Sequence, residues 1–161
     1  IICFAKKAQV GGMLCNDRLL SEEKNVYTIP SRISSTWGAS LTDMIRCKKY
    51  LEIIERDNLI QNAADRGKEI VEKLQGVAQR TELTENVRGL GCFIAFDLVH
   101  PGIRADLMEQ LYGAGLMVLP CGEKSVRFRP HLNVTSEVID EAIDILEKTL
   151  KQIKIPMTKS I

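Results

Sequence analysis

The chain has 161 residues, 45% of them hydrophobic and 27% charged, and its formal net charge is +1. This composition is typical of a globular domain with a core and excludes the disordered class of proteins. The near-neutral charge and the lack of a basic stripe argue against nucleic-acid binding. No apolar stretch approaches the roughly 18 residues of a membrane span, so we expect no membrane insertion.

The cysteines and histidines favour neither a disulfide framework nor a metal site. The five cysteines are odd in number, widely spaced and without a CxxC pair: Cys3, Cys15, Cys47, Cys92 and Cys121. Such spacing predicts reduced thiols in a cytoplasmic protein. The only histidines, His100 and His131, lack ligand spacing to each other or to a cysteine, so no metal is predicted.

The first element is the apolar run at residues 1–5, which ends in Lys6 and Lys7. A near-continuous apolar run predicts a strand buried on both faces. A lysine at its end is either a surface residue or an amine held in a pocket for chemistry. The residues alone favour the surface interpretation, because lysine is rarely buried. In an extended segment, Lys7 would point to the opposite side from Lys6.

Residues 8–37 contain glycine, proline and a polar cluster, and predict an irregular connection. Unstructured connections of this length are uncommon in a compact domain and are usually functional. Apolar residues at helical spacing then predict a helix from about Ser40 to Arg56 and a second from about Leu59 to Val77.

The second half predicts a β-α-β-β-α unit, in which one sheet face packs under two helices. Its strand Val87–Leu98, a helix in "ADLMEQLYGAG" and two short strands in "LMVLP" and "SVRFRP" precede a helix from Thr135 to about Ile153. The first half offers its single strand no sheet to join. Because unpaired buried backbone is costly, we expect the partner strands to lie upstream of this sequence.

Four stretches, in this order and spacing, resemble the C-terminal half of the class III aminotransferases: "FAKKAQVGG", "PSRISSTWGASLTDM", "VRGLGCFIAFDL" and "GAGLMVLPCGEKSVRFRPHLNVTSEVIDEAIDILEKTL". The resemblance covers residues 1 to about 153. It implies an α/β fold, the C-terminal portion of a fold type I pyridoxal-phosphate transferase. Residues 1–57 would be the last part of the large cofactor-binding domain with its linking helix. Residues 58–155 would be the small α+β domain and 156–161 a tail.

Within the family, the "KKAQV" and "PSRISSTWG" signatures resemble most the members that transfer the ε-amino group of L-lysine to 2-oxoglutarate. Glutamate and 2-aminoadipate 6-semialdehyde would be the products. The alternatives are another ω-aminotransferase, acting on ornithine or 4-aminobutyrate, and a catalytically inert module. The resemblance also implies pyridoxal 5'-phosphate as cofactor and a homodimer with active sites at its interface.

The resemblance places Lys6 at the position that forms the Schiff base with the cofactor. A primary amine on a long stem can exchange imine partners with the donor and then move a proton. That proton transfer needs the neutral amine, so the site is expected to disfavour its charged form, with the apolar run of residues 1–5 as one wall.

Thr36, beside Ser35, matches the family's phosphate-binding position. From the residues alone, a helix-cap or turn role for Thr36 is favoured, since serine and threonine prefer such positions. The register from Lys6 favours phosphate binding instead.

Arg127 matches the arginine that grips a substrate carboxylate. A planar guanidinium binds a carboxylate through two parallel hydrogen bonds. Arg129 lies two residues along the same predicted strand and so shares its face, and a surface role remains open for both.

The 161-residue chain lacks the family's Gly-rich phosphate turn, its ring-stacking aromatic residue and its acidic partner for the pyridine nitrogen. We therefore expect it to be inactive on its own.

Overall fold

The computed structural model describes residues 1–32 and 40–155. The chain divides into two compact units, Ile1–Asp57 and Asn58–Ile161, called here the first and second unit. The predicted tail, 156–161, lies outside the described residues, as do Ser35 and Thr36.

The first unit contains two short strands and two helices. They are β1 (Ile2–Phe4), β2 (Gly12–Leu14), α1 (Asp17–Leu20) and α2 (Leu41–Arg56). The two strands pair antiparallel and form a small sheet of their own. The Ser40 hydroxyl caps α2 by accepting a hydrogen bond from the Asp43 backbone N–H at 3.4 Å.

Two expectations for the first unit are wrong. Residues 8–37 are not irregular throughout, because they contain β2 and α1. The first strand is neither buried nor without a partner: it pairs with β2, and Ile2 is 65% exposed. Gly12 explains the pairing, because a Cβ on it would lie 2.5 Å from the Phe4 ring that faces it across the ladder. Only glycine admits so close an approach.

The second unit is a four-stranded antiparallel sheet with three helices. Its elements are α3 (Leu59–Thr81), β3 (Thr84–Leu90), β4 (Phe93–Leu98), α4 (Arg104–Gly113), β5 (Leu119–Cys121), β6 (Ser125–Phe128) and α5 (Ser136–Gln152). The strand order across the sheet is β3-β4-β6-β5. Helices α2, α3, α4 and α5 therefore confirm the predicted helices, with α3 running four residues beyond its predicted end.

The predicted single strand Val87–Leu98 is wrong, because the segment is the β3–β4 hairpin. Leu90 pairs with Phe93, which leaves Gly91 and Cys92 as a two-residue turn. Gly91 has φ +53°, a left-handed conformation that glycine adopts without a steric cost. The unit accordingly has the order β-β-α-β-β-α, with α3 preceding it.

The core lies on one face of this sheet. Alternate residues of β4 and β6 point to that face and are buried: Ile94, Phe96, Leu98, Val126 and Phe128. They pack in one cluster with the apolar stripes of the three helices, including Leu74 of α3, Leu107 of α4 and Leu146 of α5. The intervening residues of the same strands therefore lie on the other face, called here the open face.

Helix α3 approaches the hairpin turn closely through a glycine. A Cβ added to Gly67 would lie 2.3 Å from the Gly91 carbonyl oxygen. This contact fixes the distance between α3 and the turn that begins β4.

Candidate active site

Lys6 follows β1 directly and opens a single 3-10 turn, Lys6–Ala8. Ala5 is extended, whereas Lys6 has φ +58°. A left-handed backbone costs a residue other than glycine about 1–2 kcal/mol. Such strain persists where the surroundings enforce it and is concentrated at functional sites.

Two hydrogen bonds to the Lys6 carbonyl stabilise this turn. The Lys6 carbonyl accepts from the Gln9 backbone N–H at 3.0 Å and from Gln9 Nε2 at 3.2 Å. Gln9 Oε1 in turn accepts from Arg46 of α2 at 3.0 Å, and Arg46 also donates to Asp43 at 2.7 Å. The turn is thereby tied to the first turns of α2.

The environment of Lys6 differs from the predicted one. Lys6 and Lys7 are both exposed and share the same 3-10 turn, so the alternation of an extended segment does not separate them. The predicted apolar wall is also wrong, since Ile1 and Ile2 are mostly exposed. The left-handed backbone conformation instead distinguishes the two lysines, because it occurs at Lys6 and not at Lys7.

Arg127 lies in the middle of β6, between Ala95 of β4 and Leu119 of β5. Because its neighbours along the strand are in the core, its side chain lies on the open face. The side chain is half-buried, and its Nε atom is buried without a hydrogen-bond partner in the described part of the chain. The terminal nitrogens are the groups that can bind a carboxylate as a pair.

The structure separates Arg129 from Arg127, which sequence alone could not do. Arg129 follows the last residue of β6 and is exposed, whereas Arg127 is half-buried within the strand. Arg129 and His131 also line a cleft of about 190 Å³ whose other walls are apolar residues, four of them from α5. Arg127 is therefore the arginine with the more fixed position.

A buried carboxylate that the sequence analysis did not identify lies on the same face as Arg127. Asp97 of β4 is 5% exposed. Its oxygens accept from Ser125 at 2.6 Å, Asn86 at 2.9 Å and Arg88 at 2.9 Å. Burial alone would raise the pKa of Asp97, but these three donors outweigh it and lower the pKa to about 2. Asp97 could have been found as a charged residue at an alternate position of an otherwise apolar strand.

Asp97 already has three hydrogen-bond donors and is not paired with Arg127. Ser125 opposes Asp97 in the register, and Ala95 opposes Arg127, so the carboxylate and Arg127 are diagonal neighbours. Asp97 is already occupied by Arg88 and the two neutral donors. Among the described residues, Arg127 forms no ion pair. A residue that binds a substrate carboxylate must be unpaired in this way.

The candidate residues are distributed over both units. Lys6 belongs to the first unit and Arg127 to the second. The phosphate-binding residues predicted at Ser35 and Thr36 fall outside the described residues. Within the described parts, 1–32 and 40–155, no helix is long and apolar enough to cross a membrane, and no cluster of potential metal ligands is found.

Comparisons with known proteins give the family. The profile of the family described as "Aminotransferase class-III" matches residues 1–150. An L-lysine-epsilon aminotransferase from Amycolatopsis lactamdurans is 38% identical over 152 residues, which are 93% of this chain and 34% of that protein. A probable mitochondrial 4-aminobutyrate aminotransferase from Caenorhabditis elegans is 32% identical over 94% of this chain and 30% of its own length.

A solved structure gives the fold. The lysine aminotransferase from M. tuberculosis in the internal aldimine form superposes with a TM-score of 0.89 at 37% identity, over 94% of this chain and 35% of that one. The chain thus spans about a third of the length of the relatives that it matches. The predicted fold type I is confirmed, since these neighbours are pyridoxal-phosphate enzymes of that fold. Because the family profile covers nearly the whole chain, the chain belongs to the class III aminotransferases.

Proposed function

We propose that the protein transfers the ε-amino group of L-lysine to 2-oxoglutarate, yielding glutamate and 2-aminoadipate 6-semialdehyde. The observation that carries this proposal is the 38% identity, over 93% of the chain, to a protein named L-lysine-epsilon aminotransferase. The TM-score of 0.89 to a lysine aminotransferase is in keeping with it.

The cofactor would be held by this chain at two places. Lys6 supplies the primary amine. Its strained, hydrogen-bonded turn fixes the backbone position from which the side chain extends. The hydroxyls of Ser35 and Thr36 would hold the phosphate, in keeping with the family's order of motifs. When bound, pyridoxal 5'-phosphate supplies an electron sink that stabilises negative charge on the substrate carbon.

Lys6 would also move the proton. As a neutral amine, Lys6 Nζ would take a proton from the substrate carbon that bears the amino group. The ammonium that this transfer forms on Lys6 would then be the group that gives the proton back. The long side chain of lysine allows both transfers from one backbone position, which the 3-10 turn of Lys6 holds.

Arg127 would bind a carboxylate of 2-oxoglutarate. Its terminal nitrogens form no ion pair with any described residue. This and its half-buried position in β6 suit the two parallel hydrogen bonds of a guanidinium–carboxylate pair. Lysine presents an ammonium in the other half-reaction, where an arginine hinders binding. Arg127 would therefore serve mainly the 2-oxoglutarate half-reaction.

A panel of amino donors tests the substrate. The full-length enzyme should show its highest kcat/KM with L-lysine, followed by ornithine and 4-aminobutyrate. The second candidate is an ω-aminotransferase of the 4-aminobutyrate type, favoured by the 32% identity to the C. elegans protein. A higher kcat/KM for 4-aminobutyrate than for lysine would replace the first candidate by this one, and a higher value for ornithine would replace it by an ω-aminotransferase of the ornithine type.

The assembly and location are also proposals. A homodimer with its active sites at the interface follows from the family resemblance. Sedimentation of the full-length enzyme measures it directly. A cytoplasmic location is supported by the five cysteines, all of which are free in the structure.

A further inference from the structure

An aromatic ring lies beside the two arginines of the open face. The Cζ atom of Arg127 is 5.9 Å from the centroid of the Phe93 ring, and that of Arg129 is 5.3 Å away. Both distances are within the range of cation–π attraction, about 6 Å. One phenylalanine therefore contacts both candidate carboxylate-binding side chains.

The core of the second unit does not explain Phe93. Phe93 is the first residue of β4 and is 55% exposed, whereas Ile94 beside it is 1% exposed on the core face. The ring thus contributes little to the apolar cluster. Its described contacts with charged groups are those with the two arginines.

A ring positions a guanidinium without consuming its donors. A carboxylate partner would occupy the terminal nitrogens of Arg127, as Asp97 does with Arg88. The negative face of an aromatic ring attracts the cation while leaving its in-plane N–H groups free. It also limits the rotamers of a flexible side chain, so less freedom is lost when a ligand binds.

We propose that Phe93 is a positioning residue for Arg127, whose guanidinium it holds on the open face with the terminal nitrogens free for a substrate carboxylate. The inference rests on the function proposed above, because it takes Arg127 to bind 2-oxoglutarate. It adds a specificity element for dicarboxylates, located on the β3–β4 hairpin.

The first experiment measures binding of glutarate, a dicarboxylate that cannot react, to the full-length, cofactor-loaded enzyme by calorimetry. Phe93→Leu should weaken glutarate binding about two- to fivefold, the size expected of an exposed cation–π contact. Phe93→Tyr should retain wild-type binding because it keeps the ring. Tyr112→Leu is the control, since Tyr112 is an exposed aromatic residue on α4, and it should leave binding unchanged.

The second experiment separates positioning from general structural damage. Phe93→Leu should raise the KM for 2-oxoglutarate by the same factor and leave kcat unchanged. The lysine half-reaction, measured in single turnover, should not change. In an Arg127→Ala background, Phe93→Leu should have no further effect on glutarate binding, because the partner of the ring is gone.

Four results would overturn the inference. If Phe93→Leu leaves glutarate binding intact while Arg127→Ala destroys it, Phe93 has no positioning role and the proposed function stands. If neither variant affects glutarate binding, the assignment of Arg127 fails as well. If Phe93→Leu slows both half-reactions equally, or Phe93→Tyr does not restore binding, the residue acts only on the structure.

Discussion

The two units hold their candidate functional residues in different ways. In the second unit, Arg127 lies within a paired strand that is backed by a buried core. In the first unit, Lys6 lies on one 3-10 turn, and no described residue of that unit is fully buried. A strand holds a side chain through its packing, whereas the Lys6 turn is held by hydrogen bonds to the carbonyls of Ala5 and Lys6.

The largest effect is expected from Lys6→Ala in the full-length enzyme. Turnover should fall by several orders of magnitude and the visible absorption of the bound cofactor should be lost, because the covalent link and the proton carrier disappear together. Stopped-flow assays and an absorption spectrum measure both. Lys7→Ala is the matched control from the same turn. If Lys7→Ala lost its turnover while Lys6→Ala stayed active, the backbone conformation would not identify the catalytic lysine.

Arg127→Ala should impair one half-reaction. Removing one partner of a buried charge pair costs about 2–5 kcal/mol, so the 2-oxoglutarate half-reaction should slow by about a hundredfold or more. The lysine half-reaction should change far less. Single-turnover measurements of both, with Arg129→Ala as the control, decide the assignment. Equal damage to both half-reactions by Arg127→Ala would remove the selective role, and damage confined to Arg129→Ala would transfer it.

Thr36→Ala should weaken cofactor binding. A hydrogen bond to a charged group contributes about 1.5–3 kcal/mol, which corresponds to about a ten- to hundredfold loss of affinity. Titration of the apoenzyme with pyridoxal 5'-phosphate measures the change. Unchanged affinity together with a lower melting temperature would show that Thr36 only caps a helix or turn.

Gly67→Ala should destabilise the second unit. Alanine in a helix normally stabilises, but here its Cβ would meet the Gly91 carbonyl oxygen, and forced overpacking costs about 1–3 kcal/mol. Gly76→Ala on the same helix is the control, since its Cβ would meet the flexible end of Arg80. Urea denaturation should show a lower free energy of unfolding for Gly67→Ala but not for Gly76→Ala. Equal stabilities of the two variants would show that α3 can move away from the turn.

The smallest effect is a pH dependence carried by Asp97. Its pKa is lowered to about 2, so its contribution to stability is complete above its ordinary value and is lost as the pH falls towards 2. A shift of this size corresponds to roughly 2 kcal/mol. Asp97→Asn should therefore be less stable than wild type at pH 7, with a smaller difference at pH 3. Glu69, whose pKa is also lowered to about 2, makes the wild type and the Asp97→Asn variant alike lose stability as the pH falls. If the stability difference between Asp97→Asn and the wild type did not change with pH, the lowered pKa could not be assigned to Asp97.

Much of the second unit could be predicted from hydrophobic periodicity. The stripes of α3 and α5 gave their positions, and alternation in "SVRFRP" placed Arg127 and Arg129 on one face. The β3–β4 hairpin could not be predicted, because Gly89 and Gly91 are equally compatible with the entry to a single strand, and the turn shows only in the pairing of Leu90 with Phe93 and in the φ of Gly91. The partners of Asp97 could not be predicted, because Asn86 and Arg88 lie on β3 and Ser125 lies on β6, and the sequence does not show which strands pair with β4.

The first unit was less predictable. The alternation rule for Lys6 and Lys7 assumed an extended chain, and a 3-10 turn replaced it. Strand β2 is three residues long and depends on the packing of Phe4 over Gly12, a contact with no periodic signal. The roles of Lys6, Ser35, Thr36 and Arg127 came from the family resemblance and remain predictions.

The two-residue turn at Gly91 and Cys92 sets the register in which β4 pairs with β3. Side chains alternate between the faces of a strand, so a slip of β4 by one residue would exchange its two faces. Phe93 would then enter the core, and Ile94 would face solvent in its place. Substitution of Cys92 leaves this register intact, whereas the left-handed φ of Gly91 favours glycine at that position. The hairpin therefore tolerates a change at Cys92 better than a change at Gly91 or a slip of β4.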